Sequence, residues 1–147
     1  MKQIEIQRTT QLPPQIQSLA LTAAEEGYRF LTRLVAEWNS GANRFDAPGE
    51  CLMTAVLGGC LIGIGGVSVD PYVQNRAGRL RRVYVLPSAR RQGIGRVLVE
   101  QLVDHAARHF SQVRLFTDTA EGDAFYRRCG FKRAAEDNAT HVMIFNL

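Results

Sequence analysis

Apolar residues run along this chain in two rhythms, and the places where the rhythm changes divide it into elements. Residues 2–8 alternate around Ile4 and Ile6, the period of a strand with one buried face. Thr9 to Pro14 breaks the alternation, and proline suits the first turn of a helix. From Gln15 to Trp38 the spacing is helical. Ile16, Leu19, Ala20 and Ala23 make one stripe, and Phe30, Leu31, Leu34 and Val35 make a second. Gly27 lies between the stripes, which predicts two helices or one that bends. Asn39 to Gly49 is a loop by composition, although Arg44, Phe45 and Asp46 are more than ordinary turn residues. Two apolar runs follow, Cys51–Leu57 and Cys60–Val69, joined by the hairpin signal Gly58-Gly59. The glycines of the second run alternate with Leu61, Ile62, Ile64 and Val67, the pattern of a buried strand approached closely by other backbone.

Asp70-Pro71-Tyr72 and a polar stretch lead into Leu80–Leu86, a strand rich in branched and aromatic residues. Pro87 ends it, because proline has no N–H for the next rung. A basic turn, Ser88 to Gly93, opens a helix whose apolar stripe is Ile94, Val97, Leu98, Leu102 and Ala106 and which ends near His109. Val113–Thr117 reads as a strand, Thr119–Arg128 as a short helix, and pieces around Phe131 and from His141 to Phe145 as strands. With 147 residues, 46% of them hydrophobic, residues 1–147 are expected to form a single domain. A chain of that size buries roughly 70% of its unfolded surface and needs no staple.

The basic turn carries the chemistry. Backbone N–H groups at a helix start have no carbonyl four residues back and sit at the positive end of the helix dipole. Gly93 and Gly95 place no side chain between that backbone and an anion, and Arg90, Arg91 and Arg96 add formal charge. The turn is a pyrophosphate cradle. It is not a Walker A loop, which needs Lys-Ser or Lys-Thr after its last glycine. Nor is it a dinucleotide fingerprint, because Leu98 stands where the third glycine belongs.

What remains is Arg-x-x-Gly-x-Gly after a strand, at Arg90, Gly93 and Gly95, with Phe125-Tyr126 and Gly130-Phe131 farther on. These two motifs, in this order, resemble the signatures of the GCN5-related N-acetyltransferase (GNAT) family, over roughly the C-terminal half of the chain. The order β-α-α-β-β-β-α-β-α-β matches that family too. The resemblance implies an α/β fold with a mixed, mostly antiparallel sheet flanked by helices. Two parallel strands of that sheet splay apart to admit the pantetheine arm of acetyl-CoA. Arg90, Arg91, Gln92, Gly93, Ile94, Gly95 and Arg96 then hold the pyrophosphate. Val83, Tyr84 and Val85 pair with the arm through their backbone, as an added strand would. Thr119 replaces the family's helix asparagine beside the cofactor and keeps a hydroxyl. Tyr126 matches the catalytic tyrosine that protonates the leaving thiolate. Many members carry a glutamate base four residues before Val83, where this chain has Arg79. Asp46, Glu50, Asp70 and Asp118 are the other acids considered, each also suited to a turn or cap.

The implied reaction is acetyl transfer from acetyl-CoA, as co-substrate, to a primary amine of a small molecule. Its rivals are a protein N-terminal or lysine acetyltransferase and a CoA-binding regulator without turnover. The acceptor is expected along Arg44, Phe45 and Asp46, along Asp70 and Tyr72, and near Asp118. A formal charge of +4 suggests an anionic partner, and Arg79, Arg81, Arg82, Arg90, Arg91 and Arg96 are concentrated in one unit. CoA accounts for that cluster, and no interleaved aromatics point to nucleic acid. His105 and His109 have a metal-capable spacing, but no third ligand is suggested, so no metal is expected. Three cysteines without a C-x-x-C pair, and no leader or apolar span, read as cytosolic thiols away from membranes. A homodimer is left open.

Overall fold

The computed structural model describes residues 3–74 and 76–145. Seven strands form one sheet: β1 (Ile4–Thr9), β2 (Cys51–Leu57), β3 (Cys60–Val69), β4 (Ala77–Val85), β5 (Gln112–Leu115), β6 (Lys132–Glu136) and β7 (Ala139–Ile144). Their order is β1-β2-β3-β4-β5-β7-β6, and every pairing is antiparallel except β4 with β5. Helices α1 (Ile16–Glu25) and α2 (Phe30–Ser40) cover one face, and α3 (Ile94–His109) covers the other. Helix α4 (Ala120–Arg128) follows β5 and joins the α3 side through Phe125 and Tyr126.

The two faces arise from the alternation of side chains along each strand. On β4, Leu80 and Val83 pack with Leu98, Val99 and Leu102 of α3, together with Val113, Leu115 and Phe131. Tyr84 turns the other way and joins Leu19 of α1, Leu31 and Leu34 of α2, and Ile64. One bulge sits between these registers. Arg81 pairs with Gly66 and Tyr84 with Ile64, so Arg82 and Val83 together oppose only Gly65. Arg82 takes a left-handed φ of 61° to make that bend.

The Gly58-Gly59 hairpin forms as the sequence indicates, and Gly27 separates two distinct helices rather than bending one. Several boundaries differ. Strand β4 starts at Ala77 rather than Leu80, drawn into the sheet by Val69–Gly78 on β3 and Ala77–Gln112 on β5. Strand β5 stops at Leu115. Phe131, expected within a strand, is a buried plug just before β6 and sits in the α3-side core. The glycine-rich β3 owes its composition to close approach: a Cβ on Gly66 would lie 2.5 Å from the ring of Phe45.

That contact yields a stability prediction. Gly66→Ala should lower the urea midpoint by the equivalent of about 1–3 kcal/mol, the range for overpacking. Pairing it with Phe45→Leu, which vacates the ring's edge, should recover part of the loss.

Candidate active site

The last rung between β4 and β5 is Arg79–Arg114; among the described residues there is none beyond it. From Leu80 to Val85, β4 is paired with β3 alone among the strands, and its other edge is open as far as Tyr84. Val83 and Val85 point to the α3 side, Val85 against Ala55, Ile62, Ala89 and Ile94.

Beyond the open edge the chain turns through Pro87–Ala89 and enters α3. Gly93 caps this helix with φ at 78°, a conformation in which a Cβ is strained even though no atom lies within 4 Å of it. Arg91 is also left-handed, at 65°. The first helical N–H to find a carbonyl is that of Val97, on Gly93 (3.1 Å), so the amides of Ile94, Gly95 and Arg96 have no helical acceptor. Arg91, Gln92 and Arg96 are exposed around them, and Arg96 is paired with Glu100 (3.1 Å). A Cβ on Gly95 would come within 3.3 Å of Phe125, so α4 lies against the start of α3.

Tyr126, next to Phe125, is half-buried between Phe125, Phe131 and His141, at ring-centroid distances of 5.0, 5.8 and 6.3 Å. Burial, with Cys129 nearby, raises its phenol above the ordinary range and keeps it protonated. Its helix is fixed to β7 by Asp123, which accepts from His141 Nε2 (2.8 Å) and also pairs with Arg133 and Arg127. Arg133 first, then His141, hold the Asp123 carboxyl below its usual range.

The opposite face is built differently. Asp70 is fully buried and accepts from Arg114 Nη1 (3.0 Å) and Arg79 Nη1 (3.4 Å), the two residues of the last β4–β5 rung. Arg114 also pairs with Glu136, and Arg79 donates to the Asn138 carbonyl (2.8 Å) and lies 5.0 Å from the centroid of the exposed Tyr72 ring.

The sequence pattern of the acetyltransferase (GNAT) family matches residues 14–131. The chain belongs to that family. Its fold is shared by a candidate acetyltransferase from Exiguobacterium sp. 255-15, 27% identical, with a TM-score of 0.87 over 97% of this chain and 93% of that one. A GNAT acetyltransferase from Brucella melitensis, solved with acetyl-CoA, is 20% identical, with a TM-score of 0.69 over 99% of this chain and 90% of that one. The PaiA N-acetyltransferase of Thermoplasma acidophilum, solved with coenzyme A, is 18% identical, with a TM-score of 0.61 over 96% and 97%. No curated protein matches the chain.

As in a GNAT fold, the splayed strands are the parallel pair β4 and β5, and both glycines of the first motif stand at the helix start. Several expected site residues are engaged elsewhere. Arg90 does not aim at the cradle: its Nη atoms grip both oxygens of Glu26 (2.8 and 2.9 Å) and its Nε donates to the Val85 carbonyl (2.9 Å). That pairing, more than any other cause, holds the Glu26 carboxyl low. Glu26 also accepts from Tyr84, whose ring is buried on the α1 and α2 side and whose hydroxyl is raised by burial and by that bond. Thr119 caps α4, its oxygen accepting from Gly122 N–H (2.9 Å).

On the acceptor side, Phe45 is core and Asp70 is locked between two arginines, so neither is free to meet an amine. Arg44 donates to the Trp38 carbonyl near the end of α2. Tyr72, Asp46 and Asp118 are exposed, but on three separate loops, and only Tyr72 joins the arginine group. The sequence reading missed Glu26, Glu136 and the Asp123–His141 pair. Each makes its contact across 18 to 64 residues of chain, so no local spacing could reveal it.

Removing one partner from a buried ion pair costs about 3–5 kcal/mol, since the remaining charge stays buried. Asp70→Asn should therefore lose stability on that scale in urea titration. Glu136→Gln, at the exposed end of the same chain of charges, should lose much less.

Proposed function

We propose that this GNAT protein transfers an acetyl group from acetyl-CoA to the primary amine of a small molecule, by direct attack within a ternary complex. The observation that carries the reading is the open edge of β4, which runs from Leu80 to Tyr84 and leads toward the unpartnered amides of α3. An extended pantetheine arm would add to that edge as a strand, along Val83, Tyr84 and Val85. The pyrophosphate would then rest on the amides of Gly93 to Arg96, with Arg91, Gln92 and Arg96 around it. Arg90 would act one step back, holding the turn through Glu26 and Val85. The relatives solved with acetyl-CoA and with coenzyme A support the choice of ligand.

The amine attacks the thioester carbonyl, and a backbone N–H of β4 near the bulge at Arg82 and Val83 would stabilise the oxyanion. The C–S bond then breaks, one amine proton passes to solvent, and sulfur takes a proton from Tyr126. From a phenol of pKa about 10 to a thiol of about 8.5, full transfer is uphill by roughly 2 kcal/mol, and burial of Tyr126 adds to this. The hydroxyl thus acts as a hydrogen bond to sulfur that strengthens as charge develops there, with transfer completing as the thiolate leaves. The phenolate regains its proton from solvent.

Acetyl-CoA at 100 times its Kd should stabilise the fold by about 2.7 kcal/mol, read as a rise in Tm. Gly95→Glu, which brings an anion into the cradle, should remove that rise; a folded variant that still responds fully would place the cofactor elsewhere. Tyr126→Phe keeps the ring and its packing, so acetyl-CoA binding should persist while kcat falls by about 10²–10⁴-fold. The check is steady-state thiol release with an accepted amine, and an unchanged kcat would leave solvent as the proton source.

A further inference from the structure

The six arginines between Arg79 and Arg96 were expected to serve one anion, but the fold divides them between the two faces of the sheet. Arg81 pairs with Gly66, whose missing Cβ would meet Phe45, so Arg81 faces the α1 and α2 side while Leu80 and Val83 face α3. It stands two residues past the last β4–β5 rung. That position is beside the open edge, on the face opposite the α3 cradle, which is where an acceptor must enter if the cofactor arm comes from α3.

Its surroundings are cationic. Arg79 and Arg114 share Asp70, Arg114 also holds Glu136, and Arg82 holds Glu37 (2.8 Å). Four guanidiniums, counting Arg81, therefore meet three carboxylates, and the one left over is Arg81. It is half-buried, and among the described residues its side chain makes no hydrogen bond or ion pair. Beside it the Arg82 side chain is only 9% exposed, and its Nε has no partner. Two donors on adjacent residues thus lack acceptors. Burial, then the charges of Arg82 and Arg79, loosen the proton of Arg81 and outweigh the opposing pull of Glu37 and Tyr72. The exposed Tyr72 ring, stacked on Arg79, stands on the same side.

We infer that the acceptor amine carries an anionic group of its own, a carboxylate or a phosphate, and that Arg81 receives it while the amine reaches the open edge of β4. This rests on the acetyl-transfer reading above and adds the class of substrate. A guanidinium fork matches both anions in bidentate geometry, and pairing one that is already half-desolvated recovers interaction the empty site lacks.

The experiment compares matched amines: β-alanine with propylamine, and phosphoethanolamine with ethanolamine. The charged member of at least one pair should be favoured in kcat/KM by about 10- to 100-fold, the equivalent of a charge-assisted hydrogen bond. In Arg81→Ala that ratio should fall toward one, mainly through KM, and Arg81→Lys should restore part of it. The second arm needs no turnover. With CoA saturating the cradle, N-acetyl-β-alanine or N-acetylphosphoethanolamine should raise the Tm of the wild-type protein more than N-acetylethanolamine does. Arg81→Ala should lose that difference while still being stabilised by CoA. Equal behaviour of charged and neutral compounds in both arms, or a preference that survives Arg81→Ala, overturns the inference. A wild-type protein that acetyl-CoA does not stabilise at all would sink the acetyl-transfer reading, and this one with it.

Discussion

One buried carboxylate holds the point where the sheet comes apart. Arg79 and Arg114 face each other across the last parallel rung, an arrangement that by itself repels. Asp70, which has no exposed side-chain surface, binds both and turns two like charges into a clamp between β4 and β5. Beyond it the strands separate, and the parts of a cleft are set by that separation: the bare edge of β4, the bulge at Arg82, and the path to the start of α3. A hydrophobic pair there would also bind the strands together, but it would supply no charge to order Tyr72, Asn138 and Glu136 around the same point.

Much of this was legible in the sequence because it rests on local rules. Helical stripes placed α1, α2 and α3, a two-glycine turn placed the β2–β3 hairpin, and the Arg90–Gly95 and Phe125–Phe131 motifs named the family on their own. Which face each arginine would take could not be read. The bulge adds one residue to β4, and a single added residue reverses the facing of every later position on the strand. Arg81 and Tyr84 consequently lie on the same side although three positions apart, against simple alternation. The partners of Arg79, Arg82 and Arg90 were equally hidden. They come from the β3–β4 connection, from α2 and from the end of α1.

Arg90 shows how a motif residue serves its motif indirectly. It closes the Val85 carbonyl and is gripped by Glu26, so the turn before α3 is tied to the end of α1 across 64 residues. The aromatic group of Tyr28, Phe30 and Tyr84 surrounds that tie. Conformation at Arg91 and Gly93, both left-handed, thereby gains a fixed upstream anchor.

The Asp70 clamp also makes the sheet a hinge. On the α3 face, Leu98 and Leu102 share one apolar core with Val113 and Leu115, so α3 spans the two parts of the sheet. On the other face β1–β4 and β5–β7–β6 meet through three rungs and a knot of charges. Among the described residues, no β4–β5 rung crosses the gap past Arg79. The width of the gap is thus set by electrostatics at the pivot and by packing against a single helix on one face.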